Sequence, residues 1–211
     1  MPDAPATQLY LISPLDVSGS FADRLARAID AAHPAMPVAA FQLRLKDVDQ
    51  HAAARLAEPL QAVCRDREVA FIVNDSIALA RRIKADGVHL GQGDGTVQEA
   101  REALGREAQI GVTCHASRHL AMEAGEAGAD YVAFGAFFPS TTKASEHRAE
   151  PALVEWWHQL MEIPCVAIGG ITPANCRALV TAGADFLAVS AAVWSGDEAA
   201  AVRAFGEAVA P

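Results

Sequence analysis

The sequence has no apolar run of the roughly 18 to 20 residues that a membrane-spanning helix needs, so no transmembrane segment is expected. Its opening stretch, MPDAPATQLYLISP, has neither a basic patch nor a long apolar core. It does not read as a secretory signal, and a cytoplasmic location is expected. The four cysteines, Cys64, Cys114, Cys165 and Cys176, lack any CxxC spacing and read as free core thiols in a reducing compartment. Low-complexity tracts and long charge runs are absent. Cations are in the minority, with 17 Lys and Arg against 26 Asp and Glu, a net charge of -9. Nucleic acid and anionic membranes would repel such a chain, so any anion it binds must meet a local cluster of cations.

What is present suits one compact domain spanning residues 1–211, since 52% of the residues are hydrophobic. Short apolar runs alternate with helix-like stretches along the chain. The runs are QLYLIS (8–13), AFQLRL (40–45), AFIVND (70–75), GVHLG (87–91), QIGVTC (109–114), YVAFGAF (131–137), CVAIGG (165–170) and FLAVSA (186–191). Amphipathic, alanine-rich segments such as FADRLARAIDAAH and HAAARLAEPLQAVCRD lie between them. KADGVHLG, AGADYVAFG and AGADFLAVS echo one another: a helix ends at a small residue, Ala-Asp turns, and an apolar strand follows. Strand–helix units of about 25 residues require parallel strands joined by crossovers. Eight of them predict an α/β fold, a (β/α)8 TIM barrel. The alternative, an open doubly wound sheet, often carries GxGxxG after its first strand, and SPLDVSGS lacks it.

In such a barrel the site forms at the carboxyl ends of the strands. Strand two alternates Phe41, Leu43 and Leu45 with Gln42, Arg44 and Lys46, which places the polar trio inward. Asn74 and Asp75 end strand three, Gln92 and Asp94 follow strand four, and Thr113 and His115 end strand five. Ser140, Thr141, Thr142 and Lys143 follow strand six, Gly169 and Gly170 end strand seven, and Ser190 lies on strand eight. Arg44, Lys46 and Lys143 suit a substrate with several phosphate charges. Asp75 and Asp94 offer hard oxygen ligands, which suits Mg²⁺ shared with a diphosphate. The glycine pair leaves backbone N–H groups open near the loops where a phosphate often binds. Two anion sites are therefore expected, a metal-assisted diphosphate near strands two to four and a monophosphate near strands seven and eight.

Each residue also has a plainer reading. Asp75 reads equally as a cap for the helix at Ser76. Asp94 in GQGDGT reads equally as a turn residue. Internal carboxylates would neutralise Arg44 and Lys46, the glycine pair would be a tight turn, and His115 would be structural. Trp156, Trp157 and the methionines read as helix packing.

FQLRLKD, FIVNDSIALARRIKADGVHLGQGD, IGVTCHAS, ADYVAFGAFFPSTTK, CVAIGGIT and AVSAAVW, in this order, resemble the thiamine-phosphate synthase family over residues 8 to 195. The resemblance implies a (β/α)8 fold. It also implies a transferase of thiamine biosynthesis that joins 4-amino-5-hydroxymethyl-2-methylpyrimidine diphosphate to 4-methyl-5-(2-phosphooxyethyl)thiazole with Mg²⁺. Carried over, Arg44, Lys46, Asn74 and Lys143 bind the diphosphate, with Gln42 in the same pocket, and Asp75 and Asp94 hold the metal. Thr113 stands where the family has a serine near the pyrimidine. Ser140, Thr142, Gly170, Val189 and Ser190 line the thiazole phosphate site. The chain departs from the family at Ser140, at Thr113, and at Gly93-Asp94-Gly95, where two glycines loosen the loop around a metal ligand.

The implied chemistry is a dissociative substitution: diphosphate leaves the pyrimidine methylene, and the thiazole nitrogen attacks the resulting cation. It needs charge stabilisation from Arg44, Lys46, Lys143 and the metal, not a protein nucleophile. Two other functions compete. A thiazole tautomerase would use His115 as acid or base, and a non-catalytic barrel would bind a phosphate ligand without turnover. Small-molecule substrates are the expected partners, and homo-oligomer formation stays open.

Overall fold

The structure, a computed structural model, describes residues 7–139 and 148–210. In chain order its elements are β1 (Gln8–Ile12), α1 (Phe21–Asp30), β2 (Val38–Leu43), α2 (Gln50–Arg65), β3 (Ala70–Asn74), α3 (Ile77–Ile83), β4 (Gly87–Leu90), α4 (Val97–Leu104), β5 (Gln109–His115), α5 (Arg118–Glu126), β6 (Tyr131–Gly135), α6 (Pro151–Leu160), β7 (Cys165–Ile168), α7 (Arg177–Thr181), β8 (Phe186–Val189), α8 (Ala191–Trp194) and α9 (Glu198–Val209). The strands pair in sequence order and are parallel throughout. β8 returns to β1 from Gln8↔Phe186 to Leu11↔Val189, which closes the barrel. Closure leaves no sheet edge, so the chain is a (β/α)8 TIM barrel and not the open doubly wound sheet. No helix among the described residues is long and apolar enough to cross a membrane.

Period-two alternation builds both cores. Phe41, Leu43, Phe71, Val73, Val132 and Phe134 face outward and pack under the helices, with Leu45 partly buried against them. Tyr10, Ile12, Ala40, Ile72, Tyr131, Ala133, Val166 and Ala188 face inward as a second cluster. The cysteines are buried and free. Burial pushes the thiols of Cys64, Cys114 and Cys165 up to about 12, which keeps them protonated and unreactive at neutral pH.

β2 ends at Leu43, two residues short of the expected boundary, so Arg44 and Lys46 lie in the loop beyond the strand. The reason lies in its neighbour. Ser13 N–H still pairs with the Gln42 carbonyl at 2.9 Å. The Arg44 N–H turns instead to the Ser13 hydroxyl at 2.9 Å.

The repeated Ala-Asp junctions have a shared function at the barrel floor. The side chains of Asp86, Asp130 and Asp185 accept from the backbone N–H of Phe71 (2.7 Å), Ile110 (2.7 Å) and Cys165 (2.8 Å). Each aspartate's own N–H donates to the carbonyl of the same residue, so one aspartate clamps both backbone groups at the start of the preceding odd-numbered strand. The expected small residue at the helix end holds less well: α3 ends on Lys84 in a left-handed conformation, φ 53°. On the outer wall, Glu198 is 5% exposed and binds Arg24 at 2.9 Å and Arg27 at 2.6 Å, tying α9 to α1. Trp194 Nε1 donates to the Ile12 carbonyl at 2.7 Å beside the seam between β8 and β1.

Removing one floor clamp would strand a buried N–H. Asp185→Ala is expected to cost about 1–3 kcal/mol, read as a lower urea midpoint at unchanged m-value. An unaltered midpoint would show that the Cys165 N–H does not depend on this carboxylate.

Candidate active site

The carboxyl ends of the strands open on a cavity of about 790 Å³, within the usual range for a small-molecule site. Among the residues expected at the site, Gln42, Arg44, Lys46, Asn74, Asp75, Gln92, Asp94, Thr113, His115, Gly169, Gly170, Val189 and Ser190 all line it. Ser140, Thr141, Thr142 and Lys143 lie outside the described residues.

The cations occupy one side. Arg44 is half-buried and Lys46 exposed. Among the described residues neither forms an ion pair, so the expected alternative of an internal counter-charge is not realised. Below them the Gln42 amide nitrogen donates to Asn74 Oδ1 at 2.5 Å, which fixes both amides and leaves the Gln42 carbonyl oxygen as an acceptor.

The carboxylates follow β3 and β4. Asp75 does not cap α3; the Ser76 hydroxyl does, accepting from Leu79 N–H at 3.1 Å. Asp75 instead adopts φ 64°, and His115 at the end of β5 adopts φ 50°. Left-handed backbone at non-glycine residues is strained, and it collects where a site over-determines it. Asp94 does take the turn position: its carboxylate accepts the Gly91 N–H at 3.0 Å. A Cβ at residue 91 would lie 2.5 Å from that oxygen, so glycine is what admits the carboxylate. One turn bond leaves most of a carboxylate's acceptor capacity available.

Among the described residues no group of three or more His, Cys, Asp or Glu side chains is arranged to hold a metal. That excludes a cage built from those side chains alone within the described part of the chain. Mg²⁺ commonly uses one or two carboxylates and completes its shell with water and substrate phosphate. Asp75 and Asp94 in one cavity fit that mode.

At the far side, Gly169 and Gly170 have φ 105° and 63°. A Cβ at Gly170 would lie 2.3 Å from the Pro139 carbonyl, so the turn passes too close to the loop after β6 for any side chain. The tight-turn reading therefore holds, and the same backbone lines the cavity. Beside it Ser190 leads into the short helix α8.

Beneath these groups lies a polar chain that the sequence reading missed. His89, 7% exposed, is within 2.8 Å of Thr113 Oγ1 through Nε2 and 3.1 Å of the Tyr131 hydroxyl through Nδ1. The Tyr131 hydroxyl is 2.9 Å from that of Tyr10. Burial drives the His89 pKa down to about 4, partly countered by Asp94, so the ring is neutral at physiological pH. Tyr131 fits only because residue 111 is glycine, where a Cβ would fall 1.9 Å from the ring. The alternation in GVHLG points His89 inward and was the available signal.

The family model for thiamine monophosphate synthase matches residues 9–193. The chain belongs to the thiamine-phosphate synthase family. It is 71% identical over 206 residues to the thiamine-phosphate synthase of Erythrobacter litoralis, covering 97% of this chain and 96% of that one. The thiamine-phosphate synthase of Rhodospirillum centenum is 53% identical over 189 residues, with 89% of each chain covered. Among solved structures, thiamine phosphate pyrophosphorylase from Pyrococcus furiosus superposes with a TM-score of 0.83 at 27% identity, over 97% of this chain and 96% of that one. Family membership and barrel geometry thus agree.

Keeping His89 neutral has a pH signature. Its folded pKa lies below the unfolded value of about 6.5, so the unfolded chain binds the extra proton first as pH falls. The stability is fully present above about pH 6.5 and is lost toward pH 4, on the order of 3 kcal/mol. Subtracting the His89→Gln profile from wild type between pH 7 and 4 should reveal this slope. Parallel profiles would show that His89 is not the group titrating.

Proposed function

We propose that this barrel makes thiamine phosphate by joining 4-amino-5-hydroxymethyl-2-methylpyrimidine diphosphate to 4-methyl-5-(2-phosphooxyethyl)thiazole, with release of diphosphate. The observation that carries the reading, beside the family, is that two cations without an ion pair among the described residues share one mouth with two carboxylates.

In this reading the reaction is a dissociative substitution. The bond from the pyrimidine methylene to the diphosphate oxygen breaks first, and the aminopyrimidine ring spreads the resulting positive charge. The thiazole ring nitrogen then supplies its electron pair to the methylene. Arg44, Lys46 and Asn74 hold the departing diphosphate, and Lys143 joins them by resemblance. Mg²⁺ held by Asp75 and Asp94 would supply further positive charge to the leaving group. Preorganised charge around a leaving group is worth more inside a confined mouth than in water. Thr113 orients the pyrimidine, and Gln42 sits in the diphosphate pocket. Gly170, Val189 and Ser190 hold the thiazole phosphate, with Ser140, Thr141 and Thr142 assigned to the same side from the sequence. No protein nucleophile takes part, consistent with cysteines that stay protonated in the core. A tautomerase relying on His115 would need neither the cations nor the carboxylate pair.

Mixing both substrates with and without Mg²⁺ and measuring thiamine phosphate tests the reading directly, and no product under any metal condition would remove it. Arg44→Ala and Asp75→Ala are each expected to lower kcat/KM by about 10² or more, with thermal unfolding as the check on folding. Wild-type rates from either variant would overturn the role given to that residue.

A further inference from the structure

We propose that His89 is a positioning residue that fixes the polarity of the Thr113 hydroxyl, making Thr113 a hydrogen-bond donor into the cavity. The substrate group that Thr113 meets must then be an acceptor, a ring nitrogen lone pair and not an amino group. Naming that ring as an aminopyrimidine rests on the function proposed above.

The argument follows the protons from the bottom of the barrel upward. Tyr10 is 4% exposed, and its hydroxyl has one partner among the described residues, the Tyr131 hydroxyl at 2.9 Å. A buried O–H with nothing to donate to costs about 1–3 kcal/mol, so Tyr10 donates and the Tyr131 oxygen accepts. Among the described residues the Tyr131 O–H then has one acceptor in reach, His89 Nδ1 at 3.1 Å. A neutral imidazole that accepts at Nδ1 carries its proton on Nε2. That proton points at Thr113 Oγ1, 2.8 Å away. Because the Thr113 oxygen is already accepting, its own O–H is released toward the cavity that Thr113 lines. The reverse order would have Thr113 donate to His89, His89 to Tyr131 and Tyr131 to Tyr10, which leaves the buried Tyr10 hydroxyl with no acceptor among the described residues. The direction of the whole chain is therefore set at Tyr10, three hydrogen bonds away from Thr113. Gly111 belongs to the same device, since a side chain there would displace the Tyr131 ring.

The test reads the tautomer and the kinetics separately. ¹⁵N-histidine NMR of the full-length wild-type protein, with the His89 signal assigned by its loss in His89→Gln, should show the Nε2–H tautomer. This measurement needs no substrate and does not depend on any variant being active. In steady-state assays, His89→Leu removes the donor to Thr113 and should raise KM for the pyrimidine diphosphate by about 10-fold, the loss of one hydrogen bond, while KM for the thiazole phosphate stays within about 2-fold. His89→Gln retains an N–H donor and should restore the pyrimidine KM to within about 3-fold of wild type. The Nδ1–H tautomer, or equal rises in both KM values, would overturn the inference. Absence of thiamine phosphate from the wild-type enzyme would instead overturn the functional reading, with the tautomer still decided by NMR.

Discussion

A closed eight-stranded barrel gives an inward-pointing side chain no bulk water to retreat to, and most of this structure follows from that confinement. Deep in the barrel the polar groups are neutral and bonded to one another: Tyr10, Tyr131, His89 and Thr113 form one chain. Higher up, Gln42 and Asn74 pair their amides. Among the described residues that line the cavity, Arg44 and Lys46 stand at the mouth, half-buried and exposed. Desolvation makes this ordering compulsory, because a charge buried at the depth of Tyr10 would have to neutralise or unfold its surroundings. His89 shows the rule in action, since burial keeps it neutral even beside the electrostatic pull of Asp94.

The mouth also resolves a conflict between global and local charge. A chain of net charge -9 repels anions at long range. Its site holds Arg44 and Lys46, which form no ion pair among the described residues, on the side of the cavity served by β2. Asp75 and Asp94 follow β3 and β4 and line the same cavity.

Much of this was legible in the residues. Period-two runs mark the strands within a few positions, and the polar residues at the strand ends line the cavity. The shortfalls have physical causes. The end of β2 coincides with the turn of the Arg44 N–H to the hydroxyl of Ser13, which stands 31 residues away in sequence, just beyond β1. Asp75 and Ser76 are equally good caps by type, and only the backbone turn at φ 64° decides between them. His89 was pointed inward by its alternation, but its partners are 24 and 42 residues further on, and its meaning depends on their hydroxyls. The need for glycine at 111 exists only once Tyr131 is folded across it.

The aspartate clamps of the floor reach beyond stability. Asp86, Asp130 and Asp185 fasten the beginnings of β3, β5 and β7 at the end of the barrel remote from the cavity. Fold maintenance and chemistry thereby occupy opposite faces of one molecule, joined by strands of only four to seven residues. Loops at the mouth are free to lengthen, shorten or exchange residues without disturbing the fastenings below. Such a scaffold is open to divergence: a descendant could acquire a different substrate by altering one rim while inheriting the other intact.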